Sequence, residues 1–249
     1  MTYCVGLRLD SGIVFASDTR TNAGMDNVAT FSKMHVWEKK GERVIVMLSA
    51  GNLAFTQSIV SLLNERIEAG NADGSLSLAS CPTMFQAALT VGAAVRTMRA
   101  YEKKVSEDNA GLVNGTFLLG GQIYGEVPRL FHIYREGHFL EATRDAFFFQ
   151  IGEHKYGKPI IDRVAKVDMG TGAATKLLLI SFDSTMRSNL SVGMPIDLLT
   201  YEQDSFVVGE RRRIHEDDVE FQKMSRGWSA ALRGAFSHID EYDFWPRKL

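Results

Sequence analysis

The second residue of the chain is a threonine, which carries two groups useful for catalysis once the initiator methionine is removed. Methionine removal generally succeeds before a small residue, so Thr2 would then present a hydroxyl and a free α-amine. A hydroxyl is a poor nucleophile at neutral pH, whereas an α-amine with a pKa of roughly 7.7 to 8.0 can accept the hydroxyl proton itself. Thr2 is therefore a candidate nucleophile that needs no histidine. The alternative is that it simply begins a strand.

A carboxylate and an ammonium are the next candidates. Asp18 ends the apolar run "IVFASD", where a buried carboxylate requires a cationic partner. Lys33 is the lysine that we select as this partner, because an ammonium beside the Thr2 hydroxyl would favour loss of its proton. Spacing alone does not place Lys33, so an ordinary salt bridge or two solvated charges remain open.

The stretch "SAGN" at residues 49–52 lies where a strand is predicted to pass into a helix. Backbone N–H groups at such a junction lack partners, and Gly51 would let a substrate approach the main chain closely. These donors suit the oxyanion that forms during acyl transfer. The alternative is a tight strand-to-helix turn without a catalytic role.

Two strand-like runs must bring the first candidates together. "YCVGLRL" and "IVFASD" flank "DSG", and this pattern predicts an antiparallel hairpin. If residues 10–12 form a three-residue loop, Asp18 lies opposite Cys4. Side chains two residues apart share a face, so Thr2, Cys4 and Asp18 would then project from the same side of the sheet.

The remaining pattern predicts strands and helices in separate runs. Strands are expected at 33–37 and 43–50, helices after Gly51 and after Pro82, and then four strands in "GTFLLGGQIY", "PRLFHIY", "HFLEA" and "AFFFQIG". Helices at about 154–168 and 172–187, a strand pair within 189–208 and a long helix from Glu216 complete the chain. This order predicts a layered α+β domain over residues 1–249, without a linker.

Composition excludes several classes of function. The 249 residues are 45% apolar and 23% charged, which allows a substantial core. A net charge of -2 gives no reason to expect nucleic acid or a membrane surface as partner. Two cysteines are too few for a disulfide framework, which favours the cytoplasm. The chain shows neither a signal peptide nor an apolar span, so we expect residue 1 to start the functional protein.

Other motifs give weaker signals. "MGTGAAT" lacks the third glycine of a dinucleotide loop. His132 and His138 have no third ligand at a metal spacing, and Cys4 is expected in the core. "RRR" at 211–213 is interpreted as a solvated turn, and the tail "FWPRKL" as a subunit contact.

The segments "T2…SGIVFASDTR…K33…SAGNLA" resemble the proteasome β-subunit family of N-terminal-nucleophile hydrolases, most clearly over residues 2–57. Within this family, "MTYCVGLRLDSGIVFASDTRTNAG" and the tail "EYDFWPRKL" are most similar to the bacterial ancestral-β-subunit homologues called Anbu. The resemblance implies a four-layer αββα sandwich, with two antiparallel sheets between helix layers. It covers most of the chain.

The resemblance also implies roles for individual residues. Thr2 would be nucleophile and base, Asp18 and Lys33 its charged partners, and Gly51 an oxyanion donor. Ser191 fits the serine that the family usually has near the last helix. Three further residues are expected by position to contact the peptide: Thr21, Ser49 and Leu53.

Two positions depart from the family pattern. Glu153 stands where the family usually has a serine near the end of a middle strand, and Ser188 stands where an aspartate is expected. The accessory network around the amine therefore differs. We expect weak or differently regulated peptidase activity, with Glu153 or a water in place of the missing groups.

Together these features predict a cytoplasmic threonine-type endopeptidase acting through an ester on Thr2, which water resolves with help from the same amine. No metal or organic cofactor is implied. The expected partners are a peptide or unfolded polypeptide as substrate and further copies in a homo-oligomer; an unfoldase or adaptor stays open. The alternatives are a weak or inactive structural or regulatory oligomer, and an amidase for a small amide or an isopeptide.

Overall fold

The computed structural model describes residues 2–22, 28–70, 76–105 and 114–242. The "FWPRKL" tail lies outside the described residues. The elements in chain order are β1 (Tyr3–Leu9), β2 (Gly12–Asp18), β3 (Arg20–Asn22), β4 (Val28–Thr30), β5 (Met34–Lys39), β6 (Arg43–Gly51), α1 (Leu53–Ala69), α2 (Met84–Val105), β7 (Gly115–Ile123), β8 (Arg129–Ile133), β9 (Phe139–Glu141), β10 (Phe148–Gly152), α3 (Lys158–Val164), α4 (Thr171–Ser188), β11 (Ile196–Glu202), β12 (Arg211–Ile214) and α5 (Val219–Ser237).

The strands form two five-stranded sheets and a short ribbon. The first sheet has the order β10-β1-β2-β11-β12, the second has the order β5-β6-β7-β8-β9, and β3 pairs with β4. Neighbouring strands are antiparallel throughout. β1, β2, β6 and β7 are buried almost along their whole length, as expected of strands covered on both faces.

Three apolar cores separate four layers. The first lies between the second sheet and helices α1 and α2, and Phe55, Val91 and Phe117 are buried in it. The second lies between the two sheets, and the third between the first sheet and α3, α4 and α5. The predicted α+β class and the αββα sandwich are therefore confirmed.

The first hairpin forms, but its predicted register is wrong by one residue. Leu9 pairs with Gly12 and Cys4 pairs with Ser17, so the loop contains only residues 10 and 11. Asp18 consequently does not lie opposite Cys4.

The error arises at Gly12, because this residue pairs with a third strand and is not part of the turn. Gly12 pairs with Glu202 of β11. A Cβ atom at Gly12 would lie 1.9 Å from the carbonyl oxygen of Tyr201, and the φ angle of Gly12 is +146°. Only glycine allows this close backbone approach, and the sequence of the hairpin alone does not reveal the third strand.

The last strand pair lies further along the chain than predicted. β11 pairs with β12, and the "RRR" segment is part of this edge strand and not a turn. Arg213 binds the carboxylate of Asp197 through two hydrogen bonds of 2.6 and 2.9 Å. Exposed arginines are typical of an edge strand that resists further pairing.

Helix α5 corresponds to the long helix predicted from Glu216, but most of its apolar residues are exposed. Only Phe221 is buried among its residues, and the exposed fractions of Leu232 and Phe236 are 50% and 80%. Asp218 caps the helix by accepting a hydrogen bond from the N–H of Phe221 at 2.9 Å. Across the described ranges, none of the helices combines the length and the apolar character that crossing a membrane would require.

Candidate active site

A cavity of about 750 Å³ opens where the chain enters β1. Thr2 lines it together with Lys33, Gly51 and the three residues expected to contact peptide, Thr21, Ser49 and Leu53. Six of the eight predicted site residues thus share one cavity. The other two, Asp18 and Ser191, do not line it.

Asp18 lies behind the cavity wall as the partner of Lys33. Its Oδ1 atom is 2.7 Å from Nζ of Lys33, and the exposed fractions of the two side chains are 0% and 6%. The same oxygen accepts a hydrogen bond from the N–H of Tyr3 at 3.1 Å. Burial raises the pKa of the Asp18 carboxyl, while the Lys33 ammonium opposes this shift.

The corrected hairpin register changes how Asp18 reaches this position. Side chains alternate along a strand, and Ser17 is the residue opposite Cys4. The expectation that Thr2, Cys4 and Asp18 share one face is therefore wrong. Asp18 is the last residue of β2 and lies one residue beyond the position opposite Cys4.

Lys33 is fixed by a second hydrogen bond. Its ammonium donates to the carbonyl oxygen of Arg20 at 2.6 Å. The main chain of Lys33 is held as well, because its carbonyl oxygen accepts the N–H of Ser49 at 3.0 Å. These contacts fix the position of the Lys33 ammonium in the cavity wall.

Thr2 is fixed by the strand on its other side. Its carbonyl oxygen accepts the N–H of Glu153 at 2.6 Å. A Cβ atom at Gly152 would lie 1.9 Å from this carbonyl oxygen, and the φ angle of Gly152 is +80°. Glycine is therefore required beside Thr2.

Gly51 presents a main-chain donor at the junction of β6 and α1. The N–H of Ser49 points to Lys33 on the β5 side, while the N–H of Asn52 donates to Asn114 on the β7 side at 2.8 Å. Alternation aims the N–H of Gly51 at the β5 side, past the first residue of β5. This donor therefore faces the cavity, where it could bind an oxyanion.

The three expected peptide contacts differ in what they offer. The Thr21 hydroxyl oxygen is buried and has no hydrogen-bond partner within the described segments, which suits a donor or acceptor for substrate. The Ser49 hydroxyl lies 3.5 Å from the Lys33 carbonyl oxygen, so it supports Lys33. Leu53 contributes a half-buried apolar wall.

Ser191 lies in the loop after α4, and sequence reasoning missed its neighbour Asn189. The Oδ1 atom of Asn189 accepts the N–H of Ser191 at 2.9 Å, and its Nδ2 atom donates to Oε2 of Glu153 at 3.0 Å. Asn189 thus connects the Ser191 loop to the cavity wall. Only its place between Ser188 and Ser191 could have drawn attention to it.

The Cys4 thiol does not line the cavity. Cys4 is fully buried, burial raises the pKa of its thiol, and the thiol lies 3.6 Å from the Ser49 carbonyl oxygen. Over the part of the chain that the structure describes, no three His, Cys, Asp or Glu side chains are grouped so that they could hold a metal ion.

Comparison with known proteins identifies close structural relatives. A Gly-1 mutant of Anbu from Hyphomicrobium sp. strain MC1 is 56% identical, covering 98% of this chain and 100% of the relative, with a TM-score of 0.92. Anbu, the ancestral beta-subunit, from Yersinia bercovieri is 47% identical over 98% of this chain and 100% of its own, with a TM-score of 0.90. The helical assembly of the Anbu complex from Pseudomonas aeruginosa contains a chain that is 43% identical, with coverages of 97% and 98% and a TM-score of 0.88.

Two other comparisons gave no match: no protein-family model matches the chain, and neither does a curated protein.

Proposed function

Because the chain belongs to Anbu, the ancestral β-subunit group of the proteasome family, we propose that it is a threonine-type endopeptidase whose nucleophile is Thr2. The proposal includes removal of Met1, which frees the α-amine. The observation that carries it is the shared cavity: Thr2, Lys33 and Gly51 line one space, and Asp18 holds Lys33 at 2.7 Å.

The chemistry follows from these groups. The α-amine of Thr2 accepts the hydroxyl proton while the hydroxyl oxygen attacks the peptide carbonyl carbon. The Lys33 ammonium stabilises the developing negative charge on the attacking oxygen. The N–H of Gly51 donates to the carbonyl oxygen as it becomes an oxyanion.

The acyl-enzyme then breaks down by the reverse sequence. The protonated α-amine gives its proton to the leaving nitrogen as the C–N bond breaks, which leaves an ester on Thr2. Water then attacks this ester with the regenerated α-amine as base. The chain's own residues supply each proton acceptor. Thr21 and Leu53 would contact the peptide beside the bond that is cleaved.

Self-association and a cytoplasmic location belong to the same proposal. A relative from Pseudomonas aeruginosa forms a helical assembly, and this supports a homo-oligomer of the present chain. The exposed apolar residues on α5, Leu232 and Phe236, agree with a surface that other copies cover. The proposed substrate is a peptide or an unfolded polypeptide.

A comparison of substrates tests the proposed activity. The purified chain, with its N-terminal residue verified by mass, is incubated with a peptide library, an isopeptide-linked peptide and small amides. We expect peptide cleavage that Thr2→Ala abolishes and that the matched variant Thr2→Ser partly retains. Cleavage unchanged in Thr2→Ala would contradict the proposal, as would activity restricted to isopeptides or small amides. Complete inactivity of the processed chain would favour the structural or regulatory oligomer.

A further inference from the structure

A second carboxylate lies in the cavity wall beside Thr2, separate from the Asp18–Lys33 pair. Glu153 is 8% exposed. Its Oε2 atom accepts a hydrogen bond from Asn189 at 3.0 Å, and its Oε1 atom lies 3.8 Å from the ammonium of Lys155, whose side chain is 69% exposed. A buried carboxylate with such loose pairing is costly unless another cation joins it.

Strand geometry turns the main-chain nitrogen of Thr2 toward the end of β10, the segment that precedes Glu153. The N–H and carbonyl of one strand residue point to the same edge, and those of the next residue point to the opposite edge. The N–H of Tyr3 points to Asp18, while the carbonyl of Thr2 points to the N–H of Glu153 at 2.6 Å. The Thr2 nitrogen therefore faces the end of β10, where Glu153 follows Gly152.

We propose that Glu153 is the anionic partner of the Thr2 α-amine, and that Asn189 is a positioning residue that holds the Glu153 carboxylate. The inference rests on the proposed function for its role in catalysis. During attack the amine takes the Thr2 hydroxyl proton, and the ammonium that forms faces the carboxylate. When the C–N bond of the substrate breaks, this proton passes to the leaving nitrogen, so no other proton donor is needed.

The sign of the effect follows from the charges around the amine. Among the described residues, the charged or titratable groups that line this end of the cavity or contact its lining include, besides Glu153, Asp18, Arg20, Lys33, His154 and Lys155. Cations favour the neutral amine, whereas Glu153 favours the ammonium. Removal of the Glu153 charge should therefore lower the pH at which the amine loses its proton.

Acetylation of the N-terminal amine measures this pH without requiring activity. We compare Thr2→Ala with Thr2→Ala/Glu153→Gln across pH 5 to 10, using acetic anhydride as the probe and peptide mass spectrometry as the readout. The midpoint should fall by about one pH unit when Glu153 is neutralised. Glu153→Asp, which keeps the charge, should restore most of the shift, and Asn189→Ala should lower the midpoint by a smaller amount.

Glu136→Gln is the matched control, because Glu136 is a surface carboxylate paired with Arg135. The pH midpoint of N-terminal acetylation should not change in this variant. A midpoint that stays the same or rises in the Glu153→Gln protein overturns the inference. If Glu153→Gln does not fold, an unchanged midpoint in the Asn189→Ala protein gives the same decision. A different result would contradict the proposed function: the Thr2 hydroxyl would not react with an electrophilic peptide, although the N-terminal amine shows the expected acetylation midpoints.

Discussion

The Asp18–Lys33 pair permits a quantitative test, because both side chains are buried and each serves the other. Replacement of Lys33 by Met leaves the Asp18 carboxylate with the N–H of Tyr3 at 3.1 Å and without its ammonium at 2.7 Å. Breaking a buried ion pair by removal of one partner typically costs about 3 to 5 kcal/mol. Lys33→Met should therefore lower the free energy of unfolding by about this amount at pH 7.

A double variant tests whether the lost stability comes from the unpaired charge of Asp18. Asp18→Leu/Lys33→Met replaces both charges with apolar groups, and such replacements are often neutral or stabilising. We expect the double variant to regain at least about 2 kcal/mol over Lys33→Met, while Thr2 loses its reactivity in both proteins. Urea unfolding followed by circular dichroism, at one protein concentration, gives the free energies.

Additive effects would refute this reasoning. If the double variant were as unstable as the sum of Asp18→Leu and Lys33→Met, the two side chains would not be coupled. If Lys33→Met lowered the free energy of unfolding by less than about 1 kcal/mol, the pair would contribute no more than a weak surface ion pair.

Further variants test the backbone and the pH dependence. Gly51→Ala should lower the free energy of unfolding by about 1 to 3 kcal/mol and abolish cleavage, because its Cβ atom would lie 2.4 Å from the Asn114 carbonyl oxygen at a φ of +125°. The control Gly234→Ala lies on a helix with open space around it and should raise the free energy of unfolding by about 0.5 to 1 kcal/mol. Equal losses of stability in the two variants would contradict the account. Burial lowers the pKa of His132 below its ordinary value of 6.5, so protonation favours the unfolded chain and stability should fall as the pH drops through and below that value. Urea unfolding between pH 5 and 8 should show a smaller fall for His132→Phe, and an identical pH dependence would contradict this assignment.

The sequence was sufficient for most of the architecture, because runs of strands and helices have different apolar periods. Helix α2, expected after Pro82, buries a stripe that includes Met84, Ala88, Val91 and Val95. The errors lie where a distant strand decides the local structure. Gly12 meets β11, and "RRR" becomes a strand only because β11 is beside it. Local patterns do not contain these pairings.

The candidate site was predictable where a residue's chemistry was unusual for its position. A charged residue at the end of an apolar strand indicated Asp18, and a glycine between a strand and a helix indicated Gly51. Asn189 carried no such signal, since an asparagine after a helix is common in turns. Its contact with Glu153 depends on a loop and a strand that are 36 residues apart.

The most direct test of the central claim is the mass of the native chain before and after reaction with an electrophilic peptide, such as a peptide vinyl sulfone. We expect a chain without Met1 that gains one label, located on Thr2 by fragmentation, and no label on Thr2→Ala. A chain that retains Met1, or a label that persists on Thr2→Ala, would contradict the assignment of Thr2 as the nucleophile.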